Sequence, residues 1–365
     1  MRWWKRILLS GVGLVLGITG AAQAQNVAKY GADFLAGGVG ARALGMGGAY
    51  VGLAQDVSAG YWNPSGLTGL NYPEIAYMHA ERFNGVVSFD YGSVAFPLSS
   101  RSTVGLSFFR SGVNDIKNTL DAWDPERDQP RPNPESYFET FSAADQAFFL
   151  SYARAVSPRL AYGLNGKLIR RSIGDFANAW GYSFDLGFQY RSGRFALGAN
   201  VQDVSTMLQS WSVNTASLQN LQDVFGDELP EGGTELVLPV ARIGTGLILP
   251  TGESHLTLGM DVDLAFDGQE AFVPNVGRIS FHPRLGTEFD YKGVVALRAG
   301  VNRVMSDGEG GLDLTPSVGT GLRLRQFALD YGFGDFAGLT ADLGYSHRIS
   351  VRLTLEQPGL RRAEH

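Results

Sequence analysis

The chain reads as a transmembrane antiparallel β-barrel of about fourteen strands, and three observations predict it. Apolar and polar residues alternate with a period of two along most of its length. The polar half of that alternation is largely glycine and isolated charges. The connections between alternating runs are by turns short and long, as in barrels with tight periplasmic turns and longer outer loops.

The first element is a leader. In MRWWKRILLSGVGLVLGITGAAQAQ, Arg2, Lys5 and Arg6 precede an apolar core from Ile7 to Gly20, and Ala22-Gln23-Ala24 ends it with a small-x-small pattern. That order predicts a secretory signal over residues 1–24, too short in its apolar part for the roughly 20-residue span of a membrane helix. The leader holds three of the 30 basic residues, so the remainder is more acidic than the whole chain's net charge of −6. Such a balance argues against nucleic acid, whose phosphates require a basic footprint. With no cysteine in the chain, neither a lipid anchor nor disulfides are available, and an exported product must rely on hydrogen bonds and packing.

Residues 25–72 form a glycine-rich but apolar segment, taken up below. The barrel is expected over 73–355, with strands near 74–79, 86–96, 103–110, 144–154, 160–171, 179–190, 194–202, 239–249, 255–265, 283–291, 294–302, 314–324, 327–334 and 341–355. In YSFDLGFQYR, Tyr182, Phe184, Leu186, Phe188 and Tyr190 alternate with Ser183, Asp185, Gly187 and Gln189. In HLTLGMDVDLAF, Leu256, Leu258, Met260, Val262 and Leu264 alternate with Thr257, Gly259, Asp261 and Asp263. A two-residue period places one set on each face of a sheet. A soluble sandwich alternates too, but the charges distributed here suit a tight polar lumen: Lys167, Asp185, Asp261, Asp263, Glu288, Arg298, Arg323, Asp330, Asp342, Arg348 and Arg352. Tyr182, Tyr190, Tyr291, Phe327 and Phe333 lie near strand ends, where a membrane interface favours aromatic rings.

The turns PLSSRS, SPR, RSGR, PTGES, YKG and RQ follow even-numbered strands, whereas segments 111–143, 203–238, 266–282 and 303–313 follow odd-numbered ones. This sorting puts both ends of the barrel on the periplasmic side. The first long loop contains DAWDPERDQPRPNPESYFET, and its Trp123, Tyr137 and Phe138 are candidates for docking a partner, as are Trp211 and Phe225 of the 203–238 loop. A polar tail, 356–365, closes the chain.

No catalytic or metal motif emerges, so neither enzymatic activity nor a cofactor is expected. Gly38-x-Gly40-x-x-Ala43 matches a loose dinucleotide fingerprint without the strand and βαβ unit it requires. His79, His255, His282, His347 and His365 are scattered. Ser346 and His347 are adjacent on one strand and therefore face opposite ways.

The stretch GARALGMGGAYVGLAQDVSAGYWNPSGL resembles the signature of the PorV/PorQ family within the FadL-like group of outer-membrane barrels. The matching residues are Gly40, Ala41, Ala43 to Ala49, then Asp56, Ser58 and Ala59, then Trp62, Asn63, Pro64, Gly66 and Leu67. The resemblance implies that residues 26 to about 70 fold as a hatch inside the lumen, with Gly45, Met46, Gly47, Gly48, Asp56, Ser58, Trp62, Asn63, Pro64 and Gly66 as its motif. Glycines would allow close approach to the wall, Asn63-Pro64 a fixed turn, and Tyr50, Leu53, Tyr61 and Trp62 apolar grip. Two features depart from the pattern. The last strand ends Val351-Arg352-Leu353-Thr354-Leu355 instead of on an aromatic residue, and His347 falls on the lipid-facing set.

The resemblance implies two functions. PorV-type members act in type IX secretion and bind C-terminal signal domains of exported proteins; FadL-like relatives carry hydrophobic compounds across the outer membrane. A hydrophobic ligand needs an apolar pocket, and the lumen rows read as charged and glycine-rich. The protein-handling role is therefore the expectation, with outer-membrane lipid, secreted C-terminal domains and other type IX components as partners. Transport of a hydrophobic small molecule is the alternative.

Overall fold

The computed structural model describes residues 26–27, 33–83, 85–124, 126–127, 129–205, 207–218, 232–265, 279–306, 312–334 and 346–362. The leader, Phe225 and Asp342 lie outside them, as does His365. The strands are β1 (Glu74–Arg82), β2 (Val87–Pro97), β3 (Ser102–Asn118), β4 (Glu139–Ala155), β5 (Leu160–Ile173) and β6 (Ala177–Ser192). Then come β7 (Phe195–Gln202 and Met207–Val213), β8 (Thr234–Val237 and Val240–Thr251), β9 (Ser254–Ala265), β10 (Ser280–Tyr291), β11 (Val295–Ser306), β12 (Leu312–Leu324), β13 (Phe327–Gly334) and β14 (Ser346–Thr354). Both pieces of β7 pair with β6, and both pieces of β8 pair with β7, so each counts as one interrupted strand. Every sequence neighbour pairs antiparallel, and β14 closes on β1 from His347 opposite Glu81 to Thr354 opposite Glu74. The result is a closed fourteen-stranded antiparallel barrel.

The alternation fixes which face looks out. Leu106, Leu150, Phe184, Met260, Leu285, Val318 and Ile349 point outward, each about half exposed. That is the arrangement a hydrocarbon solvent selects, because a closed barrel satisfies its backbone internally while presenting apolar side chains to lipid. Tyr291 and Phe327 are exposed aromatics at strand ends, whereas Tyr182, also exposed, falls inside β6 because that strand begins earlier, at Ala177. The even-strand turns are tight: Gly193 and Gly252 take φ of 59° and 66°, left-handed values that glycine adopts without a Cβ clash.

Two expectations about loops change. β3 runs to Asn118 and β4 begins at Glu139, so much of the 111–143 segment is a hairpin extension of the barrel. A register shift between Val113 and Ile116, with Asp115 at φ 55°, breaks the alternation there and hid the strand. Likewise Met207–Val213 and Thr234–Val237 continue the wall beyond an interruption near Asp203, inside the segment read as the 203–238 loop. No described helix is long and apolar enough to cross a membrane.

Inside the ring lie α1 (Asp33–Ala36), α2 (Ala41–Gly45), α3 (Ala59–Trp62) and a 3₁₀ turn, Pro64–Gly69. All four are too short to be stable alone. They hold their shape by packing on the wall: Val39, Ala43, Met46, Tyr50, Tyr61, Trp62 and Leu67 are almost wholly buried.

Candidate functional site

The site is the filled lumen, and its geometry starts with glycine. On the inner face of the wall, Gly246 stands opposite Gly259, Gly259 opposite Gly286, and Gly286 opposite Gly300. A Cβ added at Gly259 would lie 2.8 Å from the Ala49 carbonyl oxygen, and one at Gly198 2.5 Å from that of Val51. At Gly286 and Gly300 it would collide with the backbone of Met46 and Gly47. The row of missing side chains is a track along which the inner segment lies backbone to backbone. Gly47 and Gly48, at φ 63° and 75°, let that segment turn along it, and Gly45 packs its Cα against Gly319.

Asn63 pins the far end. Its Nδ2 donates to the carbonyls of Phe188 on β6 (3.0 Å) and Val51 (3.2 Å). Its Oδ1 accepts from the Ser65 hydroxyl at 2.6 Å and the Ser65 N–H at 3.3 Å. Pro64 starts the 3₁₀ turn and presses on Gly187 and Gly163 of the wall. A Cβ on Gly66 would strike the Ala54 carbonyl. Trp62 donates from Nε1 to the Val39 carbonyl at 3.0 Å and meets Tyr50 and Tyr61 edge to face.

Charges tie the same segment to the strands. Arg42 makes two bonds to Glu288, 2.8 and 2.7 Å, and Glu288 also accepts from Arg298 at 2.6 Å; Arg298 reaches Asp330 at 2.8 Å. Asp56 accepts from Tyr50, Ser58 and Arg352, the last at 2.8 Å. Arg348 donates to the Gly37 and Gly38 carbonyls, 3.1 Å each. Lys167 bridges Asp185 and Asp203 at 2.8 and 2.6 Å, while Asn165 beside it donates to the Gly60 carbonyl. These are buried groups, which survive in a low-dielectric interior only when paired and hydrogen-bonded.

Of the residues read into the lumen, Asp185, Glu288, Arg298, Asp330, Arg348 and Arg352 all take part in these bonds. Asp263 pairs with arginines of the two flanking strands, Arg284 and Arg242. Asp261 does not: its carboxylate accepts the Tyr50 and Val51 N–H groups, both at 2.7 Å, so it anchors the inner segment instead. Arg323 sits apart near the short-turn end, 3.1 Å from Asp290. The sequence reading missed Arg42, although a lone cation in an apolar, glycine-rich stretch signals a need for a buried partner. It also missed the tandem glycines, whose register became visible only once strand pairing was known.

The docking residues separate. Tyr137 and Phe138 are exposed at the β3–β4 connection. Trp123 is half-buried in a small hairpin with Pro130. Trp211 is a wall residue: it lies in β7, donates to Glu235 at 2.9 Å and stacks under Arg171. His347 faces outward as expected, bonded to the Tyr331 hydroxyl at 2.7 Å.

One property of the lumen qualifies the sequence picture. On β1 to β7 its inner face carries buried apolar side chains, Met78, Phe89, Tyr91, Phe109, Phe149, Ile169 and Met207, beside the Lys167–Asp185–Asp203 cluster. Phe34 stacks on Phe109 at 6.1 Å, and Phe109 on Phe89 at 5.8 Å. Ion pairs also link Asp263, Glu288, Arg298 and Asp330 across β8 to β14. Among the described residues no cluster suited to a metal ion is present.

No family model matches the chain and no curated protein matches it by sequence. Solved structures do. The Pseudomonas putida toluene transporter TodX aligns at TM-score 0.54 and 13% identity, over 86% of this chain and 96% of its own. The Ralstonia pickettii toluene transporter TbuX aligns at 0.54 and 11%, over 87% and 98%, and the monoaromatic hydrocarbon channel CymD at 0.53 and 15%, over 88% and 98%. At such identities the likeness is one of fold alone: the barrel shares the fold of these two transporters and this channel.

Proposed function

We propose that the protein passes small hydrophobic compounds through the outer membrane, with residues 33–70 as the hatch that gates the route. The observation that carries this is the cluster of apolar side chains on the inner face of β2 and β3, Phe89 and Phe109, against which Phe34 packs. An apolar wall beside a closure is what a desolvated ligand requires. The transporters of like fold handle toluene or monoaromatic hydrocarbons, which agrees with that lining. It departs from the secretion role favoured by the sequence alone, whose main support was a lumen read as charged and glycine-rich. The test is uptake of radiolabelled toluene by cells expressing the full chain. Uptake above that of empty-vector cells is expected, and uptake equal to the control overturns the reading.

A second reading treats the chain as a PorV/PorQ-type barrel that docks C-terminal signal domains of secreted proteins. Exposed Tyr137 and Phe138 favour it, with the Lys117 ammonium 5.8 Å from the Phe138 ring. Replacing both aromatics by serine then abolishes co-purification of such a domain and leaves toluene uptake intact. Co-purification that survives the substitution removes the docking role.

A further inference from the structure

A cavity of about 440 Å³ opens at the short-turn end of the barrel, beneath the inner segment. Its lining includes Arg101 and Arg159 on the β2–β3 and β4–β5 turns, Arg191 at the end of β6, and Arg362 of the tail. No aspartate or glutamate is among the described residues that line it. That is unusual in a chain with net charge −6. It also contrasts with the lumen above, where Arg42, Arg298, Arg352 and Lys167 each meet a carboxylate.

Two of these cations are held in place, while Arg101 and Arg159 are exposed. Arg191 donates from Nη2 to the Gly52 and Leu53 carbonyls, 3.3 Å each, and its Nε is buried without a partner. Arg362 bonds the Leu70 carbonyl at 2.8 Å and the Ser100 carbonyl at 3.3 Å, and burial pushes its pKa below the ordinary guanidinium value. Carbonyl oxygens fix these side chains but cannot neutralise them. The guanidinium groups of Arg159, Arg191 and Arg362 around one cavity repel one another, so a ligand of more than one negative charge gains most from entering. Guanidinium forks match phosphate oxygens in geometry as well as in charge.

We propose that this cavity binds a phosphate-type dianion on the periplasmic side of the barrel. Two sources share that chemistry. One is a free phosphate compound in the periplasm. The other is a phosphate headgroup of the inner leaflet, which the exposed apolar Val156 and Leu160 beside Arg159 would let approach from lipid. The site is independent of what crosses the barrel.

The test uses the full chain, purified in detergent and in nanodiscs. Inorganic phosphate is titrated calorimetrically, with acetate as the monovalent comparison. Separately, phospholipid retained from nanodiscs containing phosphatidic acid is counted by native mass spectrometry. Arg159→Gln, on an exposed turn, is expected to weaken whichever probe binds about tenfold, the size of one lost charge-assisted hydrogen bond. Arg159→Gln with Arg191→Gln is expected to abolish it. Arg191→Lys keeps the charge without the fork, checks that the site folds, and retains part of the affinity. Phosphate binding in detergent identifies the free-anion source, and retention of phosphatidic acid alone identifies the headgroup. Binding of neither probe, acetate binding as tightly as phosphate, or affinity unchanged in the double variant overturns the proposal.

Discussion

At the scale of single residues, the inner segment is held by side chains that each serve several partners. Asn63 is the clearest case: one amide satisfies two carbonyls and two donors of Ser65 while completely buried. Asn63→Ala strands those groups, and each unsatisfied buried polar group costs about 1–3 kcal/mol. Asn63→Asp should be worse, because a carboxylate oxygen would face the Val51 and Phe188 carbonyls with no donor between them. The expected order of thermal unfolding midpoints in detergent is wild type, then Ala, then Asp; an Asp variant as stable as wild type would contradict this role. Glu288 offers a parallel test. It is the shared acceptor of Arg42 and Arg298, and removing one member of a buried charge pair costs about 3–5 kcal/mol. Glu288→Gln should therefore loosen residues 33–70, read as faster amide exchange there while the strands stay protected. Both residues sat in plain view in the sequence. Asn63 was readable as a turn former from Asn-Pro alone; that its amide also reaches β6 was not, since the contact spans 125 positions.

At the scale of elements, the period-two pattern made the strands legible because lipid and lumen impose opposite chemistry on alternate residues. Where that rule lapses, the reading lapsed with it. The shift between Val113 and Ile116 turned the end of β3 into an apparent loop, and the break at 203–206 cut Trp211 from its strand. Glycine on the inner face was read as generic tightness, but pairing shows it as a track. This distinction is testable. Gly286→Ala puts a methyl group into the Met46 backbone, and overpacking of this kind costs about 1–3 kcal/mol. Gly92→Ala adds the same methyl on the wall where nothing lies within 4 Å. The first should expose residues 33–70 to protease in the assembled barrel and the second should not. Equal protease resistance in both variants would mean that the glycine row has no part in seating the segment.

At the scale of the whole molecule, the question is whether the lumen's closure must move for anything to pass. Barrel and inner segment are stabilised separately. The wall is a closed ladder of backbone hydrogen bonds with an apolar exterior, whereas the segment is held by glycine contact, Asn63 and a limited set of ion pairs. The segment can therefore shift without unfolding the wall, and a covalent lock between them isolates its motion. Ala49 and Gly259 suit such a lock: a Cβ built on Gly259 lies 3.4 Å from that of Ala49, close to the separation a disulfide spans. The chain has no cysteine, so Ala49→Cys with Gly259→Cys introduces a single unambiguous pair. If residues 33–70 gate passage, the oxidised double variant should lose toluene uptake and recover it on reduction to the level of Gly259→Cys alone, whose Cβ crowds the Ala49 carbonyl, while Ala49→Cys alone stays active under both conditions. Uptake that continues with the disulfide formed, verified by mass spectrometry, would mean that compounds pass without displacing this part of the segment. The gate would then have to lie elsewhere in the wall.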